Sequence, residues 1–199
     1  MKLREYRAVF IVGGLILILV ASAPTFGLFL PLSREGERFS ELCVLGPGHM
    51  AEDYPCDVRA DLSYLVYVGV GNHMGSSMYY SVSVKFRNQS EPSPNATTGT
   101  PSPLPSLYEY RVFLEDGETW EVPVTFSFSG VSFSDNRSLV EVFKVNELAF
   151  GVDKVALWDA ESDGYYYQVF IELWIYNTES DRFQYHNRFV DFLLNMTGV

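Results

Sequence analysis

The sequence predicts an all-β exported domain, an antiparallel β-sandwich of immunoglobulin-like type behind one N-terminal membrane segment. Three observations carry this: period-two hydrophobic alternation past residue 33, turn signals between the alternating runs, and an uncharged apolar stretch near the start. Across 199 residues, 47% are hydrophobic and 16% aromatic, enough for a sizeable core and too apolar for a disordered chain. The formal charge of −11 argues against a nucleic-acid or anionic-lipid surface, because an acidic protein repels phosphate.

From Ala8 to Ser33 no residue is charged, and Val9 to Val20 is almost wholly Val, Ile, Leu, Phe and Gly. A helix of roughly 20 apolar residues crosses a bilayer core. The expected organisation is a cytoplasmic tail at 1–7, a transmembrane anchor at 8–32, and an extracytoplasmic sandwich at 33–199. Lys2, Arg4 and Arg7 precede the anchor, whereas Arg34 and Arg38 are offset by Glu35 and Glu37. The positive-inside rule then places the N-terminus in the cytoplasm and the domain outside the cell membrane. Ala21-Ser22-Ala23 also has the form of a signal-peptide cleavage site, the rival reading. The apolar run continuing through Phe26, Leu28, Phe29 and Leu30 favours the anchor.

Beyond the anchor, Leu62, Tyr64, Val66, Val68 and Val70 share one strand face. Met78, Tyr80, Val82, Val84 and Phe86 form a second apolar face, with Ser77, Tyr79, Ser81, Ser83, Lys85 and Arg87 opposite. Val122, Val124, Phe126 and Phe128 repeat the pattern, and Tyr165 to Ile175 reads as the longest strand. Turn signals fall at 71–73, 115–118, 162–164 and 177–181, and no helical period follows residue 33. About seven to nine antiparallel strands at this spacing make a sandwich. The Cys…Trp…Cys pattern of true immunoglobulin domains is missing, so the likeness is architectural.

Residues 89–106 interrupt the pattern with Pro92, Pro94, Pro101, Pro103 and Pro105 among Ser, Thr and Asn, and read as an exposed, sugar-bearing excursion. Sequons place N-glycosylation acceptors at Asn88, Asn95, Asn136 and Asn195. Two cysteines in an oxidising compartment predict a Cys43–Cys56 disulfide, worth on the order of 3 kcal/mol by chain entropy. On the strand at 165–175, Tyr166, Phe170, Trp174 and Tyr176 face away from the first core. They are either covered by a neighbouring segment or form a partner or ligand surface.

No catalytic constellation emerges, so the sequence predicts a non-enzyme without metal or cofactor. His49 with Glu52, Asp53 and Asp57 lacks zinc or calcium ligand spacing. Gly46-Pro47-Gly48 lacks a following Lys-Ser/Thr, there is no Gly-x-Ser-x-Gly elbow, and Asp159, Glu161 and Asp163 lack the distal acid of a calcium loop.

The segment Phe39 to Pro55 (FSELCVLGPGHMAEDYP) resembles the opening of the exported domain in an archaeal membrane-protein family, domain of unknown function 1616. Tyr67 to His73 (YVGVGNH), followed by Tyr79 to Val84 (YYSVSV), is similar to that family's next strand pair, as is the return strand from Tyr185 to Asn195. The resemblance implies an extracytoplasmic β-sandwich on a membrane anchor, with no activity or catalytic residue attached. Cys43, Cys56 and the Pro-rich excursion depart from the family pattern, and members often carry several spans. The expected function is a non-catalytic accessory subunit binding another envelope or membrane-complex protein. The alternative is a glycan or small-ligand binding module.

Overall fold

Alternating side chains become ten strands in the computed structural model, which describes Tyr6, residues 11–17 and residues 37–198. They are β1 (Phe39–Leu45), β2 (Asp57–Val58), β3 (Ser63–His73), β4 (Met78–Asn88), β5 (Tyr108–Leu114), β6 (Thr119–Ser134), β7 (Arg137–Val145), β8 (Leu148–Asp159), β9 (Gly164–Asn177) and β10 (Arg182–Met196). Residues 11–17 are helical, while 8–10 and 18–32 of the expected anchor lie outside the described residues. Among the described residues no helix is long and apolar enough to cross a membrane.

Hydrogen bonding orders the strands as two layers, β1-β3-β6-β7-β8 and β2-β10-β9-β4-β5. A short β8–β9 pairing at Trp158↔Tyr165 and Asp159↔Gly164 joins them. Every pair is antiparallel except β2, which runs parallel to β10. The longest strand is β6, at 16 residues, rather than the expected β9, at 14. Mixed small, polar and aromatic residues in β6 hide its length from a hydrophobicity scan.

The layers meet through the predicted apolar faces. Val66, Val68, Val70, Val124, Phe126 and Phe128 point inward from one sheet, and Tyr80, Val82, Val84, Phe86, Val169 and Ile171 from the other. Phe86 sits at the middle, its ring 5.4 Å from Phe128, 4.9 Å from Phe143 and 5.4 Å from Tyr167. Burying one such side chain contributes about 1.5–3 kcal/mol.

One end of the sandwich is pinned by a polar residue. Asn72, fully buried, donates from Nδ2 to the carbonyls of Ser76, Leu114 and Glu115, and its Oδ1 accepts from Met74 N–H and Tyr80 O–H. Its amide thus ties the β3–β4 turn to the β5–β6 turn, satisfying buried backbone that neither sheet could serve. This is the physical content of the Gly-Asn-His motif. His73 points elsewhere, stacking on Phe39 with its Nε2 3.5 Å from Glu41.

Candidate functional site

The outward face of β5-β4-β9-β10 is a set of registered rows, because a strand sends alternate side chains to opposite faces. Pairing aligns Tyr79 with Phe113, Ser81 with Arg111 and Trp174, Ser83 with Glu109 and Glu172, and Lys85 with Phe170. Across β9 and β10 it sets Tyr176 beside Phe183, and Trp174 beside Tyr185. The face therefore runs from an aromatic row through a mixed row to a charged one.

The charged end is closed by the Pro-rich segment. Ser102 N–H donates to Glu172 Oε1 (2.7 Å) and Lys85 Nζ donates to the Ser102 carbonyl (2.8 Å). Lys85 Nζ also lies 2.9 Å from Glu172 Oε2, an ionic contact lacking good hydrogen-bond alignment. Both charges are buried, with side-chain exposures of 5% and 0%. Further along, Asn187 Nδ2 donates to the Ala96 carbonyl at a bulge in β10 that interrupts the register between Tyr185 and Arg188. The segment therefore meets the sheet at Ser102 and at Ala96, while most of its residues, Asn95 among them, are exposed. Ser102 supplies both backbone groups the buried ion pair needs.

The four expected surface aromatics separate under this cover. Phe170 is fully buried, paired in register between Lys85 and Asp191, and is no contact residue. Tyr166 binds its own turn, its hydroxyl donating to the Ser162 carbonyl. Trp174 and Tyr176 stay half-buried at the uncovered end. There Tyr79, Tyr176 and Phe183 cluster with ring centroids 5.2–6.0 Å apart, and Phe113 is 63% exposed. Tyr79, Phe113, Ile175 and Tyr176 line an open depression of about 570 Å³. Beside it a cleft of about 290 Å³ is lined by Ser81, Ser83, Lys85, Arg111, Trp174 and Phe183, among others.

Sequence reasoning missed Lys85, Ser102 and Glu172 as one unit. The available signal was Glu172 itself, a lone acid within the apolar run Val169 to Ile175. At the boundary of the covered region the Tyr185 hydroxyl is shielded without a hydrogen-bond partner. Burial, with the Glu172 charge adding to it, pushes its pKa up to about 12. His186, in the bulge, has its pKa lowered by burial and secondarily by Arg188.

The opening corner holds together without the expected disulfide. Cys43 and Cys56 are free, exposed thiols. Cys43 lies on the outward side of β1 against Gly69, where a Cβ would stand 2.7 Å from its Sγ. Cys56 is tied to the other sheet, its carbonyl accepting from Asn195 N–H. The corner closes instead through Tyr54 O–H on the Val44 carbonyl (2.8 Å) and Gly46 N–H on the Met50 carbonyl (2.8 Å). A Cβ at Gly46 would sit 1.9 Å from the Glu52 carbonyl oxygen, which accounts for that glycine. His49 Nδ1 is 2.6 Å from Glu121 Oε1 and its ring stacks on Tyr67 at 3.8 Å, so it serves packing rather than Asp53 or Asp57. Partial desolvation of the sulfur against β3, and then the Glu121 charge, raise the Cys43 thiol pKa although the residue as a whole is exposed. Among the described residues no group of three His, Cys, Asp or Glu is placed to hold a metal ion.

The four sequon asparagines occupy different settings. Asn95 is exposed, its Oδ1 accepting from Thr97 and Thr98 N–H, and Asn136 is exposed in the β6–β7 turn. Asn88 Nδ2 donates to the Val155 carbonyl. Asn195 accepts from Tyr165 N–H and donates to Asp57 Oδ1.

The family model described as Domain of unknown function (DUF1616) matches residues 33–137, more than half of the chain and all of β1 to β6. The chain belongs to this family. No curated protein matches it in sequence. Among solved structures, it is similar to a chain in the complex of zinc 2-glycoprotein with prolactin inducible protein from human seminal plasma. That likeness has 9% identity and a TM-score of 0.39, covering 83% of this chain and 99% of that one. It is also similar to β-glucosidase from Listeria innocua in complex with gluconolactone, at 12% identity and a TM-score of 0.39, covering 81% of this chain. The matched part spans 16% of the Listeria enzyme. Neither likeness carries an activity to this chain.

Proposed function

We propose that this member of the family is an exported, membrane-tethered sandwich of immunoglobulin-like layout that acts without catalysis, as an accessory subunit. Its partner is another protein of the envelope or of a membrane complex. The observation that carries the reading is the aromatic row Phe113, Tyr79, Tyr176 and Phe183, left open on a sheet face whose other half is sealed by the chain's own segment. Phe113 is exposed and the other three rings are half-buried, and aromatic side chains are enriched at protein interfaces. The layout reading rests on β3 pairing β6, β9 lying between β4 and β10, and β2 running parallel to the last strand.

Tethering rests on the uncharged stretch from Ala8 to Ser33 behind Lys2, Arg4 and Arg7. Sugar at Asn95 and Asn136 suits their exposed turns. At Asn195 it competes with two hydrogen bonds already made. The test is capture of partners from native membranes by the full chain and by Phe113→Ser. The parent brings down stoichiometric protein, and the variant keeps its melting temperature while losing that protein. Recovery of the parent as a lone monomer, or undiminished capture by the variant, defeats the proposal.

A further inference from the structure

The 290 Å³ cleft next to the aromatic row has its own chemistry, distinct from that of a protein-contact surface. Its floor is the pair Ser81 and Ser83 on alternate positions of β4, both 4% exposed and both lining the cleft. Lys85 closes one end, and Arg111 and Glu109 form the β5 side. Trp174 and Phe183 supply ring walls, half-buried on β9 and β10.

Each cation already has its acid: Lys85 with Glu172 at 2.9 Å, and Arg111 Nε with Glu109 Oε1 at 2.6 Å. The lining is therefore neutral in sum, which gives no net attraction for an anion, and it presents no unpaired acid cluster for a cation. It is also too polar for a purely apolar guest, since two hydroxyls and the solvent-exposed Arg111–Glu109 pair would lose hydration without replacement. What remains is a ligand that is uncharged, rich in hydroxyls that both donate and accept, and apolar on its ring faces. Hydroxyl floors with aromatic walls match that pattern.

We infer that the cleft between β4, β5 and β9 binds a neutral saccharide. Ser81 and Ser83 exchange hydrogen bonds with ring hydroxyls, and Arg111, whose guanidinium lies 5.3 Å over the Phe183 ring, donates to others. Trp174, with Lys85 Nζ 5.9 Å from its ring centre, offers its remaining ring surface to a sugar C–H face. A volume at the small end of ligand pockets limits it to one or two rings. This inference stands apart from the protein-partner reading, because it uses the mixed row and shares only Phe183 with the aromatic row.

The test uses the full chain in a detergent without a sugar headgroup, with free neutral mono- and disaccharides, the same sugars on an immobilised glycoprotein, and inorganic phosphate. The expected result is saturable binding of at least one neutral sugar, free or protein-borne, and none of phosphate. Trp174→Ala weakens it by about tenfold or more, the equivalent of one lost stacking contact. Ser83→Ala, which removes a single hydroxyl from a strand that keeps its packing, weakens it about fivefold. Phe113→Ser leaves it unchanged. No neutral sugar bound, phosphate bound instead, or sugar binding indifferent to Ser83→Ala overturns the inference.

Discussion

Two halves of one sheet face, built by the same four strands, have opposite fates. At one end Lys85, Phe170 and Glu172 are buried and Ser102 caps the ion pair; at the other Phe113 is exposed and Tyr79, Tyr176 and Phe183 are half-buried. Hydrophobicity alone would have predicted the reverse, with the aromatics covered and the charges wet. Coverage follows the match between backbone and buried charge. Around Ser102 the segment has few N–H groups to satisfy, since Pro101, Pro103 and Pro105 carry none, and Ser102 offers a donor and an acceptor to a carboxylate and an ammonium already facing each other.

The strongest way to break this contrast is to unbalance the sealed half. Glu172→Leu or Lys85→Met alone leaves one buried charge unpaired and costs about 3–5 kcal/mol in urea unfolding. The double substitution recovers most of that loss, since an apolar pair of similar volume is often neutral or better. Limited proteolysis within 89–106 should accelerate in the single variants. Unchanged stability there would mean that the segment is held by something other than the ion pair.

Next in size is Asn72→Ala, at the end where the open half lies. It strands three carbonyls and removes the acceptor of Tyr80, for an expected cost of about 2–4 kcal/mol. Hydrogen exchange should quicken first in the two turns that Asn72 joins. Loss spread evenly over the domain would instead mark a general weakening of the core.

The smallest effect probes the border between the halves. Tyr185 titrates at about 12 because its hydroxyl is buried near Glu172. An unfolded tyrosine ionises near 10. Between these values the native state holds a proton that the unfolded state has lost, so stability falls as pH rises from 10 towards 12 and is full below 10. Tyr185→Phe should flatten that slope in denaturant titrations. A tyrosine that ionises near 10 at this position would place the border elsewhere.

Much of the fold was legible because alternation is local: Met78 to Phe86 and Tyr165 to Ile175 declare their inward faces without reference to neighbours. The turn signal at 71–73 also marked where Asn72 joins two loops. The pairing of Lys85 with Glu172, 87 positions apart in sequence, was not, since nothing local tells which strand lies beside which. The expected Cys43–Cys56 bond failed for the same reason. Two cysteines in an expected oxidising compartment suggested a bond, whereas β1 and β2 join different sheets. Trp174 and Tyr176 were found by periodicity, but Tyr79, Phe113 and Phe183 join them only through register across three other strands.

Ser102 stands between Pro101 and Pro103, neither of which has an amide hydrogen. The contact that shuts half of the face therefore depends on one amide in a run that otherwise looks like spacer. The Ser102 side chain adds to the hold, Oγ donating to the Pro92 carbonyl and accepting from Leu104 N–H at a position only 3% exposed, so proline would remove the amide and a larger residue would not fit. A segment that looks like spacer thus carries its information in one small residue, and its plain composition is a poor guide to where.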